Sequence, residues 1–287
     1  MSSTAPAHRP APGLAALGPE ATQLLNLLDE TFRGWGERRG ALPLTMPPLL
    51  PVADLAALDF YENFPQLAVV ASTLDVNGPD DPAGRAAEAR TGSFAPDSLG
   101  PAALALPSAA CYGVFLHHAG QAVDGTRTVT VLGRCYRNED RYEGLRRLLG
   151  FHMREIVALG TYEHTQHHLA VYGQQVRDFA EAAGLPVEKE VASDPFYDKG
   201  GSRAVLQQLA PVKHEFVYAE TAIASVNVHR NFFGERCGIR IEETDEPVFT
   251  SCVAFGLERW IFALEHRYDG DWDKAFSAVE DACAAVT

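Results

Sequence analysis

With 287 residues the chain is long enough for one large domain or two small ones, and for a sizeable buried core. Its 24 Lys+Arg against 38 Asp+Glu give a formal net charge of −14, a poor match for a nucleic-acid binder, which must neutralise many phosphates. Five cysteines without CxxC spacing argue against a disulfide framework and a structural zinc ribbon. With neither a signal-like start nor a run of transmembrane length, the composition leads to the expectation of a soluble, cytoplasmic chain.

Residues 1–18, rich in Pro and Ala, read as a disordered N-terminal segment, and residues 19–287 as a single domain. Leu24, Leu28, Phe32 and Trp35 recur at helical spacing and predict a helix from Glu20 to Arg39, stopped by Gly40. A Pro-punctuated extended stretch follows from Leu42 to Val52. The Pro-, Gly- and Asp-rich segment 78–99 reads as a loop, and Pro107-Ser108 introduce a helix through His118. Strands are expected at Thr128–Tyr136, Gly150–Leu159, Glu215–Val228 and Gly238–Glu242, and longer helices at His164–Ala183, Val253–His266 and Asp271–Ala285. Strands in this order, with hairpin-like connections, give an α+β chain: an antiparallel β-sheet flanked by helices.

The densest chemistry lies between Val129 and Tyr162, two alternating strands around a charged, Arg-rich loop. Arg137 and Glu139 flank the exit of the first strand, where a guanidinium can grip a phosphate bidentately and a carboxylate can accept from an amine. On the return strand, period-two alternation puts Phe151, Met153, Glu155, Val157 and Leu159 on one face, with Phe151 free to stack on a purine. Glu155 is the odd member of that face, since a carboxylate among apolar side chains is costly without a partner. An isolated Arg-x-Glu is ordinarily a solvated hairpin; the combination points to a nucleoside triphosphate. Arg134, Arg137, Arg141, Arg146 and Arg147 form the densest basic cluster. Far downstream, Gly256-Leu257-Glu258-Arg259 opens a helical pattern and carries a further arginine, a weak motif when alone.

These residues resemble a known family. Gly133 to Thr161 resembles motif 2 of class II aminoacyl-tRNA synthetases, and Phe255 to Arg259 resembles their motif 3. FHMREIVALGT, the Asp194-Pro195-Phe196-Tyr197 turn, Lys213-His214-Glu215-Phe216 and Tyr61-Glu62-Asn63-Phe64-Pro65 are similar to segments of the amino acid:carrier-protein ligases, short relatives of the zinc-dependent, methanogen-type seryl-tRNA synthetases. The likeness covers roughly residues 20 to 285.

The resemblance implies a class II catalytic domain with a helical insertion around residues 162–213, and a homodimer formed through motif 1, here Glu20 to Val52. It implies zinc on Cys111, Glu155 and Cys252, with an open position for the substrate's amino group; two thiolates and a carboxylate are sound catalytic-type zinc ligands. Sequence separations of 44 and then 97 residues would not suggest that site by themselves. ATP is expected on Arg137, Glu139, Phe151, Glu220, Ser225 and Arg259, with Arg137 and Arg259 as the catalytic arginines and Mg²⁺ bridging the phosphates. Ser225 and Asn227 lie in the strand whose family counterpart helps to hold that Mg²⁺. The implied reaction is activation of a small amino acid of the glycine, alanine or serine type as its adenylate, then transfer to the phosphopantetheine thiol of an acidic carrier protein. Lys199, Arg203 and Lys213 are the expected docking cations. The acidic charge speaks against tRNA as acceptor. Two alternatives stand beside this reading: tRNA charging by a truncated seryl-tRNA synthetase-like enzyme, and a non-catalytic paralogue acting as a binding or regulatory protein. Cys135, Cys237, Cys283 and most histidines read as structural. Ala254 and Arg146 depart from the family pattern, at a motif 3 glycine and at a loop acid.

Overall fold

The computed structural model describes residues 11–75, 82–198, 200–201, 205 and 212–286. The chain opens with α1 (Pro19–Glu37), whose Leu24, Leu28, Phe32 and Trp35 are all buried, as the helical spacing requires. Short elements follow: β1 (Leu42–Leu44), β2 (Leu50–Pro51), α2 (Val52–Ala57), α3 (Phe60–Asn63), β3 (Val69–Ala71), α4 (Pro82–Ala89) and β4 (Leu104–Leu106). Next come α5 (Cys111–His117), β5 (Ala122–Val123), β6 (Thr126–Tyr136), β7 (Gly150–Gly160) and α6 (Tyr162–Ala182). The remainder is β8 (Glu188–Ala192), β9 (Lys213–Tyr218), β10 (Thr221–Arg230), α7 (Phe232–Cys237), β11 (Arg240–Ile241), β12 (Phe249–Gly256), α8 (Leu257–Arg267) and α9 (Trp272–Ala285).

Seven strands form the main sheet in the order β1-β6-β7-β12-β10-β9-β8. The chain is α+β, as expected. The sheet is antiparallel except at one margin, where β1 pairs with β6 in parallel, so it is mixed rather than purely antiparallel. Two small sheets, β2-β4-β3 and β11-β5, flank it. The central strands are covered on both faces. Ile156, Val253 and Phe255 enter one core with Phe32, Phe179 and Trp260, while Val157, Cys252 and Ala254 enter a second with Phe60 and Phe115. Strict alternation thus assigns successive residues of β7 and β12 to opposite cores. The second core carries the site.

Several expected boundaries move. Segment 78–99 is not all loop, since Pro82–Ala89 forms α4. Leu42–Val52 is two short strands in different sheets, with Val52 already opening α2. Glu215–Val228 is a hairpin, broken at Ala219 and Glu220, which both take positive φ (44° and 60°). Val253–Gly256 belongs to β12, so the last motif begins its helix only at Leu257. Within 162–213, where a helical insertion is expected, α6 packs into the first core and β8 closes the edge of the main sheet. Among the described residues, no helix is long and apolar enough to cross a membrane.

Candidate active site and metal centre

Register decides which side chains meet. Across β7, β12, β10 and β9, Glu155 lies opposite Ala254, Ala254 opposite Ser225, Cys252 opposite Asn227, and Ser225 opposite Glu215. Antiparallel partners project to the same side, so Glu155, Cys252, Ser225, Asn227 and Glu215 share one face of the sheet. Cys111 reaches this face from above, at the first turn of α5. The approach is close: a Cβ on Gly133 of β6 would sit 2.7 Å from the Ala110 Cβ, so glycine is what lets the start of α5 lie against the strand.

The Sγ atoms of Cys111 and Cys252 and a carboxylate oxygen of Glu155 all lie within 4.8 Å of one another, and the three residues are buried. Glu155 Oε1 accepts from the backbone N–H groups of Ala110 (2.8 Å) and Cys111 (3.2 Å). Its Oε2 is buried and has no hydrogen-bond partner among the described residues. A buried carboxylate oxygen left unpaired, beside two thiols, is the donor set a divalent, thiophilic cation fits. The hydrogen bond to Cys252 and burial push the Cys111 thiol well up. Burial likewise raises Glu155. At Cys252 the hydrogen bond with Cys111 lowers the pKa, but burial and the Glu155 charge outweigh it and the net shift is upward. Three acids that resist ionisation by themselves become good ligands once a cation offsets their charge. Asn227 Nδ2 donates to Cys252 Sγ (3.3 Å) and to Ser225 Oγ (3.2 Å). Burial lowers His229 to about 4.

A cavity of about 390 Å³ opens over this cluster, lined among others by Tyr112, Arg137, Asn227, His229 and Lys213 and roofed by Phe64 and Phe196. Phe64 and Phe196 stack with centroids 5.1 Å apart, joining the 194–198 turn to the 61–65 segment. Arg137 Nε donates to the Ser108 carbonyl (3.1 Å), and its guanidinium lies 5.1 Å from the Phe151 ring centroid. One face of Phe151 is thus already met by a cation. Glu139 is ion-paired with Arg147. Arg259 donates to the carbonyls of Arg146 (2.9 Å) and Ala222 (3.0 Å), and burial, reinforced by Arg137, lowers it to about 10. Arg259, Glu139 and Phe151 line one small groove next to Arg137. The two arginines expected to work together are therefore neighbours, although 122 residues separate them in the chain.

Other expected residues fall elsewhere. Glu220 sits in the β9–β10 turn, 95 % exposed in its side chain and 4.0 Å from Arg146, and is not on the cavity wall. Lys213 is the first residue of β9, not part of a docking helix, and its Nζ is held by Glu215 (3.1 Å) and Asp194 (3.5 Å) on that wall. Lys199 and Arg203 lie outside the described residues. The residue that sequence reasoning passed over is Glu215, a carboxylate whose charge acts on Arg259. The signal was available: Lys213 and Glu215 alternate with His214 and Phe216, which places the charged pair on one face.

No family model matches the chain. It is 32 % identical over 243 residues to amino acid–acyl-carrier-protein ligase 1 of Bradyrhizobium diazoefficiens, covering 81 % of this chain and 73 % of that protein. To ligase 2 of the same organism it is 31 % identical over 238 residues, covering 79 % and 70 %. A type-2 serine–tRNA ligase of Methanococcus maripaludis is 27 % identical over 144 residues, 46 % of this chain and 27 % of that protein. Among solved structures, the M. kandleri seryl-tRNA synthetase in complex with A. aeolicus tRNASec superposes with a TM-score of 0.76 at 18 % identity, over 98 % of this chain and 59 % of that one. The Pyrococcus horikoshii seryl-tRNA synthetase complexed with ATP gives 0.65 at 15 %, over 88 % and 53 %. These superpositions establish the class II synthetase fold and no more, and they give the expectation against tRNA no support. The two Bradyrhizobium relatives, matched over more than two thirds of their own length, settle the family: the chain belongs to the amino acid–acyl-carrier-protein ligases, enzymes on a class II synthetase fold related to the type-2 seryl-tRNA synthetases.

Proposed function

We propose that the enzyme activates a small amino acid of the glycine, alanine or serine type with ATP and passes it to the phosphopantetheine thiol of a carrier protein. The observation that carries this is the convergence of Cys111, Glu155 and Cys252, with an unpaired Glu155 oxygen, on the floor of a cavity whose wall includes Arg137. Those three residues would hold zinc, which when bound supplies a Lewis-acid position for the substrate's α-amino group. Asn227 offers an amide above that floor, and His229 and Phe233 wall it, which supports a short side chain on the substrate.

In the first step a carboxylate oxygen of the amino acid attacks the α-phosphorus of ATP, the α–β anhydride breaks, and pyrophosphate leaves. Arg137, fixed by the Ser108 carbonyl, is poised to meet negative charge growing on that phosphate. Arg259 is held by two carbonyls and needs no reorganisation to bind a terminal phosphate. Glu139 and Glu215 supply the carboxylates that would meet a magnesium-bound triphosphate. In the second step the carrier thiol attacks the acyl carbon and AMP leaves.

The test is an ATP–pyrophosphate exchange screen over all amino acids, followed by offering the labelled acyl group to holo-carrier and to bulk tRNA and treating the products with hydroxylamine. Exchange with one small amino acid and a labile label on the carrier is expected. Label on tRNA alone would move the acceptor to the one named with the M. kandleri neighbour. Absence of exchange with every amino acid would leave the activation reading without support.

A further inference from the structure

β10 does not run evenly past the metal centre. Val228 lies opposite Ser251 and Arg230 opposite Thr250, so His229 is the extra residue of a bulge, and Arg230 takes the left-handed φ of 54° that a residue with a Cβ ordinarily avoids. A bulge re-aims the side chain it carries. Here it directs the imidazole at the site: Nε2 lies 3.7 Å from Cys252 Sγ, and Nδ1 lies 3.2 Å from Thr250 Oγ1. The ring is held edge-on by Phe115 and Phe233, with centroids 5.7 and 5.1 Å away.

Chemistry then fixes the protons. A metal-bound thiolate can only accept, so the ring nitrogen that faces it must carry a proton, which leaves the other nitrogen to meet the hydroxyl. The Nε2 proton therefore points to Cys252, and Nδ1 accepts from the Thr250 hydroxyl. Asn227 adds a second donor to the same sulfur. Two thiolates and a carboxylate bring three negative charges to an ion of charge two, and N–H groups on one sulfur disperse the excess while holding that sulfur in place.

We infer that His229, aimed by the bulge and held in one tautomer by Thr250, is a positioning residue that with Asn227 hydrogen-bonds the Cys252 thiolate and so sets how tightly the centre holds zinc. The inference rests on the proposed zinc at Cys111, Glu155 and Cys252. It is tested on the full chain by measuring zinc affinity at fixed pH against a chromophoric chelator, and by recording the sulfur-to-metal charge-transfer band of the cobalt-substituted protein. His229→Ala should weaken zinc by about 10- to 100-fold, the range for losing an outer-shell partner, and shift the cobalt band to longer wavelength because the sulfur becomes a stronger donor. His229→Gln, whose amide nitrogen can stand in for Nε2, should recover most of both. Thr250→Val should move both in the His229→Ala direction by less.

Unchanged affinity and band in His229→Ala would overturn the inference. So would equal zinc loss in His229→Ala and His229→Gln with an unmoved band, which would assign the ring to packing. Should His229→Ala fail to fold, unchanged values in Thr250→Val decide against it. A wild-type protein that takes up no zinc overturns the zinc reading and this one together, whereas full wild-type zinc with an indifferent His229→Ala overturns this one alone.

Discussion

Arg137 and Arg259 carry the same charge but are restrained in different ways. Arg137 keeps one bond to a carbonyl and lies over an aromatic ring on a cavity wall, while Arg259 is buried and tied to two carbonyls. Each loses a preorganised cation on truncation, so Arg137→Ala and Arg259→Ala should each lower pyrophosphate exchange by about 10²-fold or more. Arg127, paired with Asp124 at 2.9 Å and remote from the cavity lining, serves as the neutral control. Removing a proposed zinc ligand acts differently: Cys111→Ala or Cys252→Ser should lose zinc and exchange together, read by metal analysis of the purified variants. A third residue-scale effect concerns acid. His168 is buried against Ser251 (3.0 Å), and burial lowers it to about 3. A depressed histidine contributes stability that is complete above its unfolded pKa of about 6.5 and is lost as pH falls toward 3. Thermal melts of His168→Asn should therefore fall less steeply over that window than those of the wild type. At this scale legibility was uneven. Glu155 announced itself as a carboxylate on an apolar face, and Glu215 was readable from alternation. Cys111 and Cys252 offered no local signal, because their meeting depends on strand order.

Helix α1 shows how an element is tied down. Phe32 stacks on Phe255 at 4.1 Å and touches Trp35, Phe179 and Trp260, and Asp29 accepts two hydrogen bonds from the buried Arg154 (2.7 and 2.8 Å). Phe32→Ala should cost about 3–5 kcal/mol in urea denaturation through cavity formation. Asp29→Ala should cost about 3 kcal/mol, since it strands a guanidinium in the first core. The helix was legible because its apolar residues keep a single period. The β9–β10 hairpin was not, because its turn places Ala219 and Glu220 at positive φ, where Gly or Asn is the usual signal. The start of α8 is hidden in the sequence for a related reason. β12 is covered on both faces, so Cys252–Phe255 is a continuous apolar run that periodicity cannot separate from a helix.

For the whole molecule, the resemblance places a two-fold interface on α1, β1 and β2, and Leu42 on β1 is 49 % exposed in the single chain. A homodimer is the expected state, self-complementary about that segment, and light scattering at micromolar concentration should return twice the mass of one chain. Leu42→Asp should shift the population toward monomer.

The three residues of the Cys-Glu-Cys cluster come from the start of α5, the middle of β7 and β12, the last strand in chain order, and β7 and β12 are neighbours only once the sheet has formed. Such a site has a biosynthetic consequence. A growing chain has Cys111 and Glu155 long before Cys252 exists, so the trio cannot assemble until β12 has been made and inserted between β7 and β10. If the trio holds the proposed zinc, its capture is a late event that reports completed assembly, and a chain truncated before Phe249 should release zinc to a weak chelator that the full chain resists.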